Sequence, residues 1–107
     1  MKYKIEYMKH AEVDLENIFD YVLDGNFTSA RNYRIKISRG IEDLKDNPFS
    51  GALNRIPRYA KLGFRRLIIG KHIVHYVPNT KKEIITVFRV LHHKMNQEKR
   101  LLDAVKK

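Results

Sequence analysis

Residues 63–96 carry the pattern that most restricts the fold of this chain, because they read as three consecutive β-strands. β-Branched and aromatic residues are concentrated in 64–69 and again in 73–77, and Gly70 and the Pro-Asn-Thr segment 78–80 follow these two runs. Short apolar runs that end at Gly, Pro and Asn are typical of strands joined by tight turns. The segment therefore predicts a hairpin followed by a third strand.

The third strand, 84–91, is apolar on both faces except at Thr86 and Arg89. This pattern is typical of a central strand that is covered on both sides. Because Arg89 is alone in an apolar run, we expect it to be anchored near the end of the strand and to matter more to function than any single lysine. His92 and His93 leave the strand just after it.

The first thirty residues predict a strand and a helix. Positions 2–7 alternate between apolar and charged residues, which is the period of a half-buried strand. From about His10 onward apolar residues recur on one helical face, and Gly25 is placed to end this helix in a left-handed cap.

A second helix is predicted to begin at Thr28 or Ser29 and to stop before Pro48. Residues 47–62 hold two prolines and one glycine, which predicts an irregular, packed and basic connector without a long element. After the three strands, Asn96 can cap a last helix or tail.

This order of elements predicts an α+β fold in a single domain, 1–107. We expect an N-terminal strand, an antiparallel helical hairpin packed on a mostly antiparallel four-stranded sheet, and a short C-terminal helix or tail. A chain of 107 residues with 43% apolar residues can bury one modest core. The sheet face away from the hairpin is expected to stay open for a partner.

Positive charge is large and unevenly distributed. The net charge is +10; residues 1–30 carry three lysines against six acids, whereas residues 31–107 carry nineteen Lys and Arg against six acids. The acid-free stretch between Asp46 and Glu83 contains Arg55, Arg58, Lys61, Arg65, Arg66, Lys71, Lys81 and Lys82. Such a field attracts polyanions or an acidic protein partner.

Several classes of protein are excluded by what the sequence lacks. Without cysteine there is no disulfide framework or thiolate zinc site, and no P-loop, dinucleotide turn, nucleophile elbow or HExxH motif occurs. The N-terminus is charged where a signal peptide is apolar, and no apolar run approaches the roughly 20 residues of a membrane span. We expect a soluble cytoplasmic protein with no membrane contact, no metal and no cofactor.

The remaining chemistry lies in a cationic set, namely Arg65, Arg66, His72, His75, Arg89, His92 and His93. Such side chains can bind phosphate and stabilise an oxyanion while a histidine transfers a proton, which suffices for metal-free RNA cleavage through the 2′-OH. Alternation places Arg65 and Arg66 on opposite faces, so at most one of them faces a given site. The other is expected to pair with an acid of the helices.

The histidines also have structural alternatives. Alternation predicts that His75 is a core or half-buried residue, and that His72, on the opposite side, is as readily a surface residue as part of a site. His92 and His93 point in opposite directions if the strand continues, so a site that uses both needs a bend.

Four motifs are spread over nearly the whole chain. They are Ala11-x-x-Asp14-Leu15-x-x-Ile18-x-x-Tyr21, Asn47-Pro48-x-x-Gly51, Phe64-Arg65-Arg66 through His72-Ile73-Val74-x-Tyr76, and Ile85-x-Val87-x-Arg89-Val90-Leu91-His92-x-x-Met95-Asn96. Together they resemble the RelE/ParE superfamily of bacterial type II toxins, and the last motif looks like the ParE branch. The resemblance implies a helical hairpin on a sheet. It also implies an acidic cognate antitoxin that wraps the toxin with an extended segment and a helix, in complexes that can be of higher order.

The resemblance implies two different mechanisms. RelE-like members cut mRNA in the ribosomal A site, whereas ParE-like members poison DNA gyrase and are not nucleases. For a RelE-like enzyme the catalytic residues would be Arg65, Arg66, Arg89, His92 and His93. For either mechanism we expect target binding by Arg58, Lys61, Arg65, Lys71, Arg89, Lys94 and Met95. No tyrosine follows Arg89, where several RelE-type members keep one. We therefore favour the gyrase poison; the ribonuclease and a non-toxic binding relative are the alternatives.

Overall fold

The computed structural model describes residues 2–22 and 27–105, without the side chains of 19–22 and 27. Its elements are β1 Lys4–Tyr7, α1 Lys9–Val22, α2 Phe27–Glu42, β2 Ala52–Leu53, α3 Pro57–Lys61, β3 Arg65–Ile69, β4 His72–Asn79, β5 Ile84–His92 and α4 Gln97–Val105, with a short 3₁₀ helix Asp43–Lys45 after α2. The predicted α+β class is confirmed, and the predicted cap at Gly25 lies outside the described residues. In the described part, no helix has the length and apolar content needed to cross a membrane.

The strands form one mixed sheet in the order β1-β5-β4-β3-β2. β1 runs parallel to β5, and all other neighbours are antiparallel. The prediction of four strands was wrong by one: β2 pairs Ala52 and Leu53 with the first two residues of β3. A two-residue strand is too short to show any periodicity in the sequence.

The turn between β4 and β5 lies later than the sequence predicts. β4 continues through Pro78 to Asn79, which pairs with Ile84. β3 begins at Arg65, opposite Tyr76, so among the described residues no strand lies beside Pro78 on the β3 side. The missing N–H group of Pro78 therefore costs no hydrogen bond on that side. The Asn79 side chain accepts a hydrogen bond from the backbone N–H of Lys82 and closes the turn.

The helical hairpin covers one face of the sheet and forms the larger core. Its fully buried members include Ile37, Ile41 and Leu44 from the α2 region and Val74, Tyr76, Ile85 and Val87 from the sheet. β5 contains one extra residue, Phe88, because Tyr76 pairs with Val87 while His75 pairs with Arg89. This bulge changes the alternation, so that Val87 and Val90 both face the hairpin core.

The opposite face of the sheet carries a second core, which corrects the expectation that this face is open. Tyr59 of α3, Phe64 and Leu101 of α4 are buried together, with Phe88 packed against them. Burying a leucine such as Leu101 contributes about 1.5–3 kcal/mol. Asn96 caps α4 as predicted, because its Oδ1 accepts the Lys99 N–H at 3.1 Å. The sequence is compatible with a tail that packs on the core or leaves it. In the structure the apolar side of α4 packs on the second core.

Candidate functional site: a basic groove beside the end of β5

A groove of about 670 Å³ lies beside α1, the end of β5 and the start of α4. It is lined by Lys9, His10, Val13, Asp14, Asn17, Ile18, His72, Arg89, Val90, His92, Lys94, Met95 and Arg100. Val13 and Met95 are 39% and 44% exposed, so the lining offers apolar surface as well as charge. β1 pairs with β5 only as far as Val87, which leaves the following part of the β5 edge without a neighbouring strand. We call this the β5 groove.

A buried ion pair forms part of the groove wall. Arg89 donates from Nε and Nη2 to the two carboxylate oxygens of Asp14, each at 2.8 Å. Asp14 also accepts the backbone N–H of Val90 at 2.9 Å, beyond the point where β1 stops pairing with β5. A third donor, Arg89 Nη1, binds the Arg100 carbonyl oxygen of α4 at 2.8 Å. The expected anchoring of Arg89 is confirmed, and the anchor ties α1 to α4 around the edge of β5.

Arg89 is buried and already hydrogen-bonded, which limits the contacts that it can make with a target. Arg89 and Asp14 are only 7% and 9% exposed, and three of the five guanidinium N–H donors are already used inside the protein. A role of Arg89 in target binding or catalysis stays a prediction. The hydrogen bonds of Arg89 to Asp14 and Arg100 favour a role in holding the wall of the β5 groove in place.

Three histidines lie side by side where β4 begins and β5 ends. His72 pairs with His92 across the strands, and their ring centroids are 5.3 Å apart at 82°. The rings of His92 and His93 are stacked at 4.7 Å and 25°. They do not point in opposite directions, because the strand ends at His92 and the chain turns, with the Met95 N–H donating to the His92 carbonyl.

His72 is buried, at 7% exposure, rather than exposed at the surface. Its partner is Tyr33 of α2, whose hydroxyl lies 2.6 Å from His72 Nδ1. The same hydroxyl accepts the backbone N–H of Lys71 at 3.0 Å, so its own proton is available for His72 Nδ1. With the hydroxyl proton donated to Nδ1, the proton of the neutral His72 ring lies on Nε2.

His92 has the same tautomer for a different reason. Its Nδ1 accepts the backbone N–H of Lys94 at 3.2 Å, and a backbone N–H can only donate. Burial lowers the pKa of His72 to about 4, with the nearby His92 acting in the same direction. Desolvation lowers the pKa of His92, and electrostatic interaction with the nearby His93, Lys94 and Lys71 acts in the same direction. At neutral pH both rings are therefore neutral N–H donors.

His75 is a core residue, as alternation predicts, and is 2% exposed. Gln97 donates from Nε2 to the carbonyls of His92 and Met95, so its Oε1 must accept from His75 Nε2 at 2.8 Å. His75 Nδ1 then accepts from Asn54 Nδ2 at 2.9 Å. Burial lowers the pKa of His75, more than the Gln97 hydrogen bond raises it. In this network the direction of every hydrogen bond is fixed, and the network holds the start of α4 against the sheet.

Arg65 lies at the other end of the sheet. It donates from Nε to the Gly51 carbonyl at 2.7 Å, and its guanidinium lies 5.2 Å from the centre of the Phe49 ring. Arg66, on the opposite face, has its pKa lowered by burial and then by Arg55. Among the described residues neither arginine forms an ion pair, so the expected pairing with a helix acid was wrong. Backbone carbonyls take the place of that acid for Arg65.

The residues proposed for catalysis do not all meet in one place, because Arg89 and His92 line the β5 groove whereas Arg65 and Arg66 do not. Arg65 is opposite Tyr76 on β4, whereas His92 is opposite His72. Four residues of strand separate these positions by about 13 Å along β4, in addition to the spacing between strands. Arg65 and Arg66 therefore lie at one end of the sheet and His92 and His93 at the other.

The residues expected to bind a target also form two groups. Lys94 and Met95 line the β5 groove, and Lys71 lies beside it, since its carbonyl accepts the His93 N–H at 2.9 Å. Arg58 and Lys61 belong to α3, where Arg58 lies 3.6 Å from Glu98 of α4. Because Arg89 also lines the groove, the structure brings four of these seven residues together, and it places Arg58, Lys61 and Arg65 elsewhere.

The sequence predicted no contact for Asp14, which was named only within the first motif, and none for Tyr33, Asn54 or Gln97. Asp14 could have been found, because it lies on the helical face of Ala11 and Ile18 and is therefore an acid in a buried position. Asn54 and Gln97 lie in irregular or terminal positions that carry no such signal.

Comparison with known proteins agrees with this fold. A family model described as the ParE toxin of the type II toxin-antitoxin system parDE matches residues 5–97. The chromosomal ParDE system from P. aeruginosa aligns with a TM-score of 0.68 at 19% identity, over 85% of this chain and 96% of that chain. A mutant of the E. coli toxin RelE in the free state aligns with a TM-score of 0.66 at 14% identity, over 99% and 97% of the two chains.

The RelBE2 toxin-antitoxin complex from Mycobacterium tuberculosis aligns with a TM-score of 0.58 at 16% identity, over 86% of this chain and 99% of that chain. No curated protein matches the chain. The solved structures are similar in fold, while the family model covers most of the sequence. The chain therefore belongs to the ParE toxin family and is a toxin of a type II toxin-antitoxin system.

Proposed function

We propose that this toxin inhibits growth by poisoning DNA gyrase, and that a cognate acidic antitoxin neutralises it. The observation that supports the choice of target is the distance of Arg65 and Arg66 from His92 and His93, at the other end of the sheet. Poisoning requires a binding surface, whereas cleavage requires an assembled set of reacting groups.

Metal-free RNA cleavage would need a base, an acid and a phosphate-stabilising cation around one phosphodiester. Such groups act within about 3 Å of the reacting atoms. Arg65 and His92 are opposite positions on β4 that are four residues apart, and Arg89 is held by Asp14. A surface arranged in this way supports binding better than cleavage.

The antitoxin proposal is supported by charge and by similarity. Residues 31–107 carry nineteen Lys and Arg against six acids, and the β5 groove combines basic side chains with exposed apolar surface. Two of the similar structures are named as ParDE and RelBE2 toxin-antitoxin systems. An acidic partner with apolar residues would bind with moderate salt dependence, because part of its affinity comes from apolar burial.

Inducible expression of the parent chain and of a variant with both His92→Gln and His93→Gln tests the mechanism. We expect DNA damage to be the first sign of toxicity in the parent, and the variant to retain substantial toxicity, because binding does not require a titrating group.

A ribonuclease gives a different pattern in the same experiment. Truncated mRNA would come before DNA damage, and the double variant would lose about two to four orders of magnitude of cleavage with ribosome binding nearly intact. That result would replace the gyrase proposal with the RelE-like alternative.

A further inference from the structure

Two imidazole N–H groups in the β5 groove have no partner in the protein. His72 and His92 both line the groove, and their Nδ1 atoms are occupied by Tyr33 and by the Lys94 backbone. Each neutral ring therefore carries its proton on Nε2. In the described part of the chain, neither Nε2 atom makes a hydrogen bond within the protein.

The charges around these donors are not balanced by acids. Lys9, Lys94 and Arg100 line the same groove, and among the described residues none of them forms an ion pair. Among the described lining residues the only carboxylate is that of Asp14, and it already accepts two bonds from Arg89 and one from a backbone N–H. The described lining thus supplies donors and cations but no free anion.

We propose that His72 and His92 form an oxyanion site in the β5 groove, which takes a carboxylate or phosphate group of a ligand through the two Nε2–H donors. The two rings are cross-strand neighbours whose centroids are 5.3 Å apart, so both lie near enough to contact one bound oxyanion. Hydrogen bonds to a charged oxyanion are stronger than those between neutral groups, and the surrounding cations add attraction. The site does not depend on whether gyrase or the ribosome is the target.

Two features make this site different from the basic surface in general. His72 is 93% buried, so its donor is fixed by packing rather than carried on a mobile side chain. His92 is held between His72 and the stacked His93 ring. A bound anion also favours the imidazolium forms, so binding raises the pKa values of both histidines and takes up protons as the pH falls.

Long-range ¹H–¹⁵N NMR of the histidine rings in the purified toxin tests the donors directly. At pH 7 we expect both His72 and His92 to be neutral with the proton on Nε2. If either ring carries its proton on Nδ1, the proposal is overturned, and this readout needs no variant to fold.

Titration with inorganic phosphate and, separately, with acetate at constant ionic strength tests the ligand. We expect saturable shifts of the His72 and His92 signals with at least one of the two anions, and the responding anion identifies the source as phosphoryl or carboxylate. His92→Phe should weaken this binding about tenfold, whereas His93→Phe, which keeps a stacking ring outside the groove lining, should change it less than about twofold. Linear, unsaturable shifts with both anions, or equal loss in the two variants, would overturn the proposal.

Discussion

The Asp14–Arg89 ion pair gives the most quantitative prediction about this fold. Arg89→Ala removes two of the three hydrogen bonds to the Asp14 carboxylate and leaves only the one from Val90. The carboxylate stays 9% exposed and without its counter-charge. Breaking a buried pair by removing one partner costs about 3–5 kcal/mol.

This cost is a large part of the total stability. A chain of 107 residues is expected to have about 5–15 kcal/mol of unfolding free energy. The sequence alone predicts a folded, antitoxin-binding but harmless Arg89→Ala protein. The buried pair instead predicts a protein that is strongly destabilised, so loss of toxicity in this variant would not by itself show a target contact.

A double-mutant cycle separates the pair from other effects. Asp14→Ala should also cost about 3–5 kcal/mol, because it leaves the guanidinium buried and unpaired. The double variant leaves neither charge unpaired, so it should cost about as much as one single change rather than the sum.

Urea unfolding measures these differences. With a slope of about 1.5 kcal/mol per molar urea, each single change should lower the midpoint by roughly 2–3 M. Single costs below about 1 kcal/mol, or costs that add in the double variant, would refute the reasoning. They would mean that water reaches the pair or that its charges are compensated elsewhere.

Three further predictions concern pH, packing and charge. Folding lowers the pKa of His72 from 6.5 to about 4. Stability that is fully present above pH 6.5 is therefore lost as the pH falls towards 4, by up to about 3 kcal/mol, because the unfolded state takes up the proton first. A urea midpoint that is equal at pH 7 and pH 4.5 would contradict this. Gly51→Ala should lower the melting temperature, because an added Cβ would lie 2.6 Å from a backbone carbonyl of β3, and an unchanged value would mean that the connector can shift. Reversing the charges of Arg58, Lys61 and Lys71 together should weaken antitoxin binding and its salt dependence in calorimetry; indifference to the change would remove these residues from the antitoxin surface.

The main strands and helices could be predicted because each has a periodic apolar pattern. β3, β4 and β5 were readable from their β-branched runs, and the two long helices from recurrence on one face. β2 could not be predicted, because its two residues are held by pairing with β3 and not by their own pattern. The packing of α4 on the sheet could not be predicted either, because an amphipathic tail shows which of its sides is apolar but not which surface that side contacts.

The candidate site was predictable in composition but not in arrangement. A lone arginine in an apolar strand correctly indicated an anchor, but its partner is 75 residues away in sequence, and local spacing carries no information on such a pair. The stacking of His92 and His93 depends on the strand ending at His92, which no local residue signals. The buried position of His72 depends on Tyr33 from a distant helix.

Incubation of purified toxin with purified DNA gyrase, ATP and supercoiled plasmid tests the proposed mechanism most directly. The account predicts double-strand cleavage of the plasmid that requires gyrase, is retained with His92→Gln and His93→Gln together, and is abolished by the antitoxin. Absence of gyrase-dependent cleavage, together with toxin-dependent cutting of mRNA on purified ribosomes, would contradict it.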